Sequence, residues 1–315
     1  MTSLGGRLYV LRSKNEDQVE VYDIKTYKLQ HCLTVPNLRG LFDMTSCAHF
    51  LCLYITDAAS KCVHRVEVDG EATTWPINDI PCGISVNANC NVLAVCGAAQ
   101  KIKEFTSHGD LVRDIALPND LVRPSHAIQL GSGEFIVCHA DVDNPVHRVC
   151  KISADGHRIV HSHGGGPGTD LDQYNVPTYL AVDSNETVFV VDVGNKRVTL
   201  LSPKLTHVCQ MVSSNHFKWF PYRVHLDSHR QRLYVADNKV GDSNAGRVVV
   251  FSLYNIGREN NRRCDPSTGH DHKAGSDPGE SLDHSEGHDP NEGPDHSGGP
   301  EPNDGLDPGA CVTAL

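Results

Sequence analysis

The sequence predicts an all-β fold, a propeller of six four-stranded blades, from two observations. The first is a short β-rich segment, centred on an aromatic residue or an aliphatic one, which occurs six times within residues 1–254. The second is the spacing of these centres, 45, 39, 42, 54 and 45 residues, a period typical of propeller blades. The six segments are Leu8-Tyr9-Val10, Leu53-Tyr54-Ile55, Val92-Leu93-Ala94, Glu134-Phe135-Ile136, Val188-Phe189-Val190 and Leu233-Tyr234-Val235.

Each repeat has room for four short strands, named a to d from the propeller axis outward. Strand a is predicted to begin at a proline in segments 81–86, 124–129, 177–182 and 221–226. Proline suits the first residue of a strand, because that residue need not donate a hydrogen bond to the neighbouring strand. Strand c is predicted at 19–22, 63–66, 102–105, 146–149, 198–201 and 248–251. Strand d is predicted at 29–35, 72–77, 111–117, 158–162 and 207–212.

The first and last blades are incomplete in this pattern. The first has strands b, c and d, with at best a stub of strand a at Thr2–Leu4, and the last has a, b and c. An unpaired strand leaves an exposed edge. We therefore expect either that a longer chain supplies the missing strands upstream or that residues 253–256 fold back as a closing strand. The seam between these blades should be the weakest part of the ring.

Composition separates the propeller, residues 1–259, from a tail, residues 260–315. From Cys264 onward there are twelve acidic residues, one lysine, nine glycines and seven prolines. Such a segment cannot bury enough apolar surface to offset its ordering entropy, so the tail is predicted to be disordered. Residues 1–263 carry 27 charges of each sign. The propeller therefore lacks the overall basic excess of a DNA-binding protein.

The twelve cysteines include no Cys-x-x-Cys pair, and several lie in strand-like segments. Buried free thiols are the interpretation that this pattern favours, with a reducing compartment as the consequence. The N-terminus has no signal-peptide pattern, and no apolar stretch is long enough to span a bilayer. A cytoplasmic protein without membrane contact is expected.

The fifth repeat is specific enough to indicate a family. It reads Leu180-Ala181-Val182-Asp183 and then Val188-Phe189-Val190-Val191-Asp192-Val193-Gly194-Asn195-Lys196-Arg197-Val198. This resembles the NHL repeat, an apolar strand followed by Asp, a Gly-Asn turn and Arg-Val. The Asp is also present as Asp57 and Asp237, whereas Arg12, Cys96 and Cys138 occupy the matching places in the other repeats.

The resemblance implies a six-bladed propeller of the kind found at the C-terminus of tripartite-motif ubiquitin ligases. There it binds protein targets or single-stranded RNA. The chain has no closely paired Cys and His ligands for a RING or B-box zinc site. A ubiquitin-related role would therefore depend on sequence upstream of Met1.

One loop face of the ring should collect the turns between strands b and c. We expect on this face the residues at the ends of strand b, which we call the tips: Arg12, Asp57, Asp192 and Asp237. They could form a polar ring that holds a ligand. The competing interpretation is that each Asp bonds its own turn or the following arginine, as Asp192 and Arg197 could.

The same face should carry the aromatic and basic segment that precedes the sixth blade. Its residues have the composition of a protein-binding hot spot or of a base-stacking surface, although packing between blades is an equally good explanation of the rings. They are Phe217, Lys218, Trp219, Tyr222 and Arg223. His126 and Tyr179, each two residues after a strand-opening proline, should approach the channel mouth. A Gly-rich segment, 163–169, is predicted to be a flexible surface loop, because it lacks the context of a phosphate-binding turn.

No catalytic constellation is evident, so an enzyme, a cofactor and a bound metal are not predicted. The leading hypothesis is a non-catalytic binding or scaffold propeller that recognises a protein partner through its loop face. It could serve as the target-recognition part of a ubiquitin-ligase-type system. Single-stranded RNA binding on that face is one alternative, and a metal-dependent hydrolase or lyase is another. The ending with Thr313 and Leu315 fits the pattern taken up by PDZ domains.

Overall fold

The computed structural model describes residues 1–13, 17–141, 144–239, 246–253 and 313–314. These residues form six antiparallel sheets of four strands each. In every sheet the strands follow one another in chain order, so each sheet is a four-stranded meander and forms one blade of the propeller. The predicted six-bladed β-propeller is confirmed.

Each blade therefore consists of four consecutive strands. Blade 1 is β1 (Thr2–Leu4), β2 (Arg7–Ser13), β3 (Asp17–Asp23) and β4 (Leu29–Leu33), and blade 2 is β5 (Leu41–Cys47), β6 (Cys52–Asp57), β7 (Cys62–Glu67) and β8 (Ala72–Pro76). Blade 3 is β9 (Gly83–Val86), β10 (Val92–Cys96), β11 (Lys101–Phe105) and β12 (Leu111–Ala116), and blade 4 is β13 (Pro124–Gln129), β14 (Phe135–Asp141), β15 (Asn144–Ile152) and β16 (Ile159–Gly165). Blade 5 is β17 (Pro177–Val182), β18 (Val188–Asp192), β19 (Arg197–Leu201) and β20 (His207–Val212), and blade 6 is β21 (Phe220–Asp227), β22 (Arg232–Asn238), β23 (Gly246–Ser252) and β24 (Thr313–Ala314).

Three of the four predicted prolines mark strand a. Pro81 is the exception, because β9 begins at Gly83. Pro124 and Pro177 are the first residues of β13 and β17, and Pro221 is the second residue of β21. After each of them the register to the neighbouring strand shifts. A proline has no N–H to donate to the neighbouring strand, so a bulge at the proline costs no additional hydrogen bond. The bulge changes the direction of the side chain that follows. In blade 2 the equivalent residue is Leu41, with the same shift.

Blades pack face to face, which explains the burial of the second strand. All residues of β6, β10 and β18 are buried, whereas β4 and β12 are mostly exposed. One apolar cluster fills each of the six interfaces between neighbouring blades. The six predicted centres are all buried in the structure; they are Tyr9, Tyr54, Leu93, Phe135, Phe189 and Tyr234.

The seam between blades 1 and 6 is the thinnest interface among the described residues. Its apolar cluster has seven buried members, and the other five have ten to thirteen. Polar contacts support it: the Ser3 N–H donates to Nε2 of His225 at 3.1 Å, and the Ser3 hydroxyl lies 2.8 Å from the same nitrogen. The expectation of a weak seam agrees with this packing.

The chain ends complete their blades differently from one another. The stub Thr2–Leu4 is confirmed as strand a of blade 1, paired with β2. The fourth strand of blade 6 is β24, whose Thr313 and Ala314 pair with Val250 and Val249. The alternative closing strand, 253–256, lies outside the described residues except Leu253. The disorder predicted for 260–315 also lies outside them, and β24 is the part of that range that is described.

The described cysteines are free thiols, and most of them are buried. Cys52, Cys96, Cys138 and Cys150 all lie in strands and are fully buried, so they act as small apolar side chains as predicted. No helix among the described residues is long and apolar enough to cross a bilayer.

We expect the seam to make stability depend on pH. Burial lowers the pKa of His225 to about 4. The unfolded chain takes up a proton near pH 6.5 while the native ring does not, so the free energy of unfolding should fall as the pH drops from 6.5 to 4. Protonated Nε2 could no longer accept the Ser3 N–H. The expected loss through His225 is about 2–3 kcal/mol.

Chemical denaturation at a series of pH values measures this dependence. His225→Gln should flatten the pH dependence relative to the unaltered chain, because it keeps an acceptor and removes the titration. The matched control is His229→Gln, an exposed histidine four residues away. Equal pH slopes for the two variants would contradict the assignment.

Candidate functional site

Four blades bring a polar side chain to the propeller axis from the same position of strand a. The position is the residue that follows the register shift, and strand a is the innermost strand of its blade. The side chains and their cross-strand partners are Asp43 opposite Thr56, His126 opposite Cys138, Tyr179 opposite Val191, and Arg223 opposite Ala236. We name these four residues the axial cluster.

Asp43 is the centre of the axial cluster. Its Oδ1 accepts the hydroxyl of Tyr179 at 3.1 Å and lies 3.3 Å from Nε of Arg223. Its Oδ2 accepts the N–H of Ile84 at 2.9 Å. Asp43 is 1% exposed, so this carboxylate exchanges water for donors from three other blades. Such a charge is tolerated in the interior when it is paired and hydrogen-bonded.

His126 and Tyr179 are held neutral beside that carboxylate. Their rings stack with centroids 3.8 Å apart, and His126 Nε2 lies 3.3 Å from the carbonyl of Ile84 and 4.0 Å from Asp43 Oδ2. Burial lowers the pKa of His126 to about 4, and burial together with Asp43 raises the pKa of Tyr179 well above 10. At neutral pH the only charges of the axial cluster are therefore those of Asp43 and Arg223.

A pocket of about 250 Å³ lies beside the axial cluster, between blades 1, 2 and 6. Arg223 forms part of its wall, with its guanidinium carbon 5.4 Å from the ring centre of Phe42 and 4.9 Å from that of Tyr179. Phe42 is 46% exposed, and Tyr222 is half-buried. The rim thus presents two aromatic rings and the guanidinium of Arg223, whose charge is paired with Asp43.

The predicted polar tips are occupied by their own loops in blades 5 and 6. Asp192 accepts Nε of Arg197 at 2.7 Å and the N–H of Asn175 at 2.7 Å. Asp237 accepts Nε of Arg247 at 2.8 Å and the N–H groups of Lys218 and Trp219 at 2.9 and 2.8 Å. Both aspartates are 0% exposed. These contacts favour the interpretation that the tips fold the loops.

Blades 1 and 4 use other residues at the tip. Arg12 donates from Nε to Glu20 at 2.7 Å and from Nη1 to the Gly246 carbonyl at 3.0 Å, which links blades 1 and 6. In blade 4 the residue opposite the opening proline is His139, which accepts Nε of Arg148 at 2.8 Å. The sequence predicted Cys138 at this position, one residue too early, because the repeat was centred on Phe135. The residue whose register matches the centres of blades 2, 5 and 6 is Ile136.

Asp57, the tip of blade 2, has different partners. Its carboxylate accepts the backbone N–H groups of Arg39 and Ser60 at 2.9 and 2.8 Å. The residue opposite it on β7 is Cys62 in place of an arginine, and Nε2 of His64 lies 3.5 Å from Oδ2.

The aromatic segment before blade 6 divides between core and surface. Phe217 is 7% exposed and packs against Phe251 in the interface of blades 5 and 6. The prediction that Phe217 belongs to the binding surface is therefore incompatible with its burial. Lys218 is exposed and lies 4.7 Å from the ring centre of half-buried Trp219. These two residues remain available at the loop face.

The Gly-rich segment is held to the body of blade 5. Arg197 donates to the carbonyls of Thr169, Asp170 and Gln173 at 2.9, 3.0 and 2.6 Å. Asn195 donates to the Gly168 carbonyl at 2.8 Å. The prediction of a flexible surface loop at 163–169 is wrong for residues 163–165, which end β16. The contacts of residues 168–169 were not predictable, because they come from residues some 25 positions further along the chain.

His126 and Tyr179 lie near the axis, as the sequence predicts. Asp43, on which the axial cluster depends, was not predicted as a site residue. Blade 2 has no strand-opening proline, so strand a was not placed there. A usable signal exists nevertheless. Asp43 precedes the central Tyr54 by 11 residues, as Arg223 precedes the central Tyr234.

Comparisons with known proteins identify the fold and no family. No family model and no curated protein matches the chain. Among solved structures, a protein of unknown function from Bacteroides caccae is 13% identical over 79% of this chain and 91% of its own, with a TM-score of 0.61. A chain of a nidogen/laminin complex is 17% identical, covers 79% and 90%, and has a TM-score of 0.62. A streptogramin B lyase is 12% identical, covers 79% and 77%, and has a TM-score of 0.55.

We expect the axial cluster to contribute strongly to stability. Asp43→Asn should lower the free energy of unfolding by about 2–4 kcal/mol, because Arg223 loses its counter-charge and an amide N–H₂ faces other donors. Combining it with Arg223→Met should recover part of the loss. Chemical denaturation of the single and double variants gives the coupling energy.

The control for this cycle is Asp172→Asn, an exposed carboxylate in the loop before β17. It should change the free energy of unfolding by less than about 0.5 kcal/mol. If Asp43→Asn were as stable as that control, Asp43 would not be the centre of the cluster.

Proposed function

We propose that the chain is a non-catalytic, NHL-like binding propeller that recognises a protein partner at the rim of the axial pocket. The observation that carries this proposal is the composition of that rim. Phe42 is exposed, Tyr222 is half-exposed, and Arg223 is stacked between aromatic rings. Aromatic residues and arginine are the residue types that dominate binding energy at protein interfaces.

The size of the pocket supports a protein segment as the occupant. Sites for drug-sized ligands and cofactors usually measure roughly 300–1,000 Å³, and this pocket has about 250 Å³. That volume suits one anchoring side chain. The lining arginines are paired: Arg12 with Glu20, Arg223 with Asp43 and Arg247 with Asp237. An apolar or aromatic anchor therefore fits the pocket better than an anionic one.

The chemistry of the axial cluster also supports binding over acid–base catalysis. Asp43 already accepts two hydrogen bonds and pairs with the Arg223 guanidinium, and His126, with a pKa of about 4, is a weak base at neutral pH. A general base needs a pKa near the working pH and a free path to the substrate proton. The lyase among the similar structures shares the fold at 12% identity, which leaves its activity a property of that protein.

In this proposal the propeller acts as the recognition part of a larger assembly, the role that NHL modules have in tripartite-motif ubiquitin ligases. The Asp–Arg pairs of blades 5 and 6 are the residues that carry the NHL resemblance. Asp237 holds the segment that carries Lys218 and Trp219, and its partner Arg247 lines the pocket. The pair of blade 5 holds the loop before β17. The tip Arg12 of blade 1 forms part of the pocket wall, whereas the tips Asp192 and Asp237 do not.

Affinity capture with the full chain tests the proposal. Phe42→Ala combined with Tyr222→Ala should weaken capture of pocket-dependent partners by at least about 10-fold, since truncation of a hot-spot residue costs about 2 kcal/mol or more. The matched control is Leu111→Ala, which removes an equally exposed apolar side chain from the outer strand β12. The same set of partners at the same affinity in all three chains would overturn the proposal.

Single-stranded RNA is distinguished in the same preparation. RNA binding that weakens steeply as salt rises would favour the nucleic-acid alternative, because neutralised phosphates release counterions. The neutral propeller body predicts weak or absent binding even at low salt.

A further inference from the structure

The tip of blade 2 lacks the arginine that holds the tips of blades 4, 5 and 6. In blades 4, 5 and 6 the residue opposite the tip, on strand c, is an arginine: Arg148, Arg197 and Arg247. Each donates Nε to its tip at 2.7–2.8 Å. In blades 5 and 6 this guanidinium supplies the positive charge that a fully buried aspartate needs.

Asp57 has no such guanidinium. It is 0% exposed, and within the described residues the basic side chain that reaches within 4 Å of it is His64 alone. Cys62 occupies the place of the arginine. The buried carboxylate is thus faced by a thiol and an imidazole, which are both metal ligands.

The three side chains have the separations of ligands around one small cation. Nε2 of His64 lies 3.5 Å from Oδ2 of Asp57 and 3.5 Å from Sγ of Cys62. All three ligand atoms lie within 4.8 Å of one another. Tetrahedral zinc, with bonds of about 2.0–2.3 Å, separates such atoms by about 3.3–3.6 Å. The side chains are therefore close to a ligand geometry before any rearrangement.

The histidine is also oriented for coordination. Its Nδ1 lies 3.0 Å from Oγ1 of Thr74 on β8. With the proton on Nδ1, His64 donates to that hydroxyl, and the lone pair of Nε2 points toward the carboxylate and the sulfur. A second ring nitrogen held by a hydrogen bond is the usual arrangement around metal-binding histidines.

The ligand types select the metal. Thiolate, imidazole and carboxylate together suit zinc, whereas magnesium and calcium prefer oxygen ligands alone. We propose that Asp57, Cys62 and His64 form a mononuclear Zn²⁺ site whose fourth position is open to water. The turn above it, residues 58–61, is half-exposed to exposed, which provides the path for the ion.

Zinc takes the electrostatic role that arginine has in the other blades. Binding converts the Cys62 thiol to a thiolate and releases its proton to solvent, so the affinity should fall as the pH falls. With the two anionic ligands Asp57 and Cys62 the dication is neutralised. The hairpin of blade 2 would then be closed by coordination bonds in place of an Asp–Arg pair.

The experiment uses the full chain, stripped of metal and titrated with Zn²⁺ against a competing chelator. One equivalent should bind tightly, and Co²⁺ in its place should give a sulfur-to-cobalt charge-transfer band. Cys62→Ser and His64→Gln should each weaken binding by more than about 100-fold. Thr74→Val should weaken it by about 10-fold, the scale seen when a ligand histidine loses its outer hydrogen-bond partner.

The matched control is Cys32→Ser, which removes an exposed thiol from the outer strand of blade 1 and should leave the tight equivalent intact. Every variant retains the His- and Asp-rich tail, so weak metal binding by the tail is the same in all of them. If the ligand variants do not fold, the unaltered chain still decides. The absence of a tight equivalent, a cobalt complex without the sulfur band, or an unchanged band in Cys62→Ser would overturn the proposal.

Discussion

Ring closure is the constraint on which the rest of this structure depends. Each blade has two apolar faces, and the second strand of a blade is buried only when a neighbour covers each face. Five of the six interfaces join blades that follow one another in the chain. The sixth joins blade 1 to blade 6 through Met1, Leu8, Tyr234 and Val248, with Ser3 and His225 bonded beside them. Without that interface two sheet faces would be open to water.

Closure also decides where polar groups meet. Because the six innermost strands approach one axis, side chains from blades that never touch elsewhere must satisfy one another there. Asp43 accepts hydrogen bonds from blades 3 and 5 and forms an ion pair with Arg223 of blade 6. This arrangement ties opposite sides of the ring together and leaves the charged groups little freedom for chemistry. In the proposed function, recognition falls to the exposed rings around the pocket, above all Phe42 and Tyr222.

The tips show how one structural need can be met by different chemistry. A buried carboxylate at the end of strand b requires a positive charge nearby, and blades 5 and 6 supply it with arginine. Blade 2 has the carboxylate of Asp57 without the arginine, and its thiol and imidazole suit a bound cation. Repeats that share a fold therefore differ in function at the positions where the repeat departs from its own pattern. The proposed partner site and the proposed zinc site lie at separate places of this kind.

Much of the fold was predictable from local pattern. Five of the six central residues of strand b, three of the four strand-opening prolines and the stub Thr2–Leu4 lie where the sequence predicted, because strand burial and turn chemistry recur in most blades with the same spacing. Predictions about single side chains were less successful. Phe217 belongs to the core, and His139 takes the place predicted for Cys138. Cys138 lies one residue before the tip, and a shift of one residue reverses the direction of a side chain on a strand. Phe217 precedes β21 and packs against Phe251 in the interface of blades 5 and 6.

The sequence by itself determined the number of blades, most of their strands and their apolar interfaces, since these follow from short-range periodicity. Only the tertiary structure decided which polar residues meet. Asp43 and Tyr179 are 136 residues apart in the chain, and Arg197 reaches back to hold a loop some 25 residues upstream. The physical reason is that hydrogen bonds and ion pairs depend on distances of about 3 Å, which the closed ring sets and no linear spacing reveals.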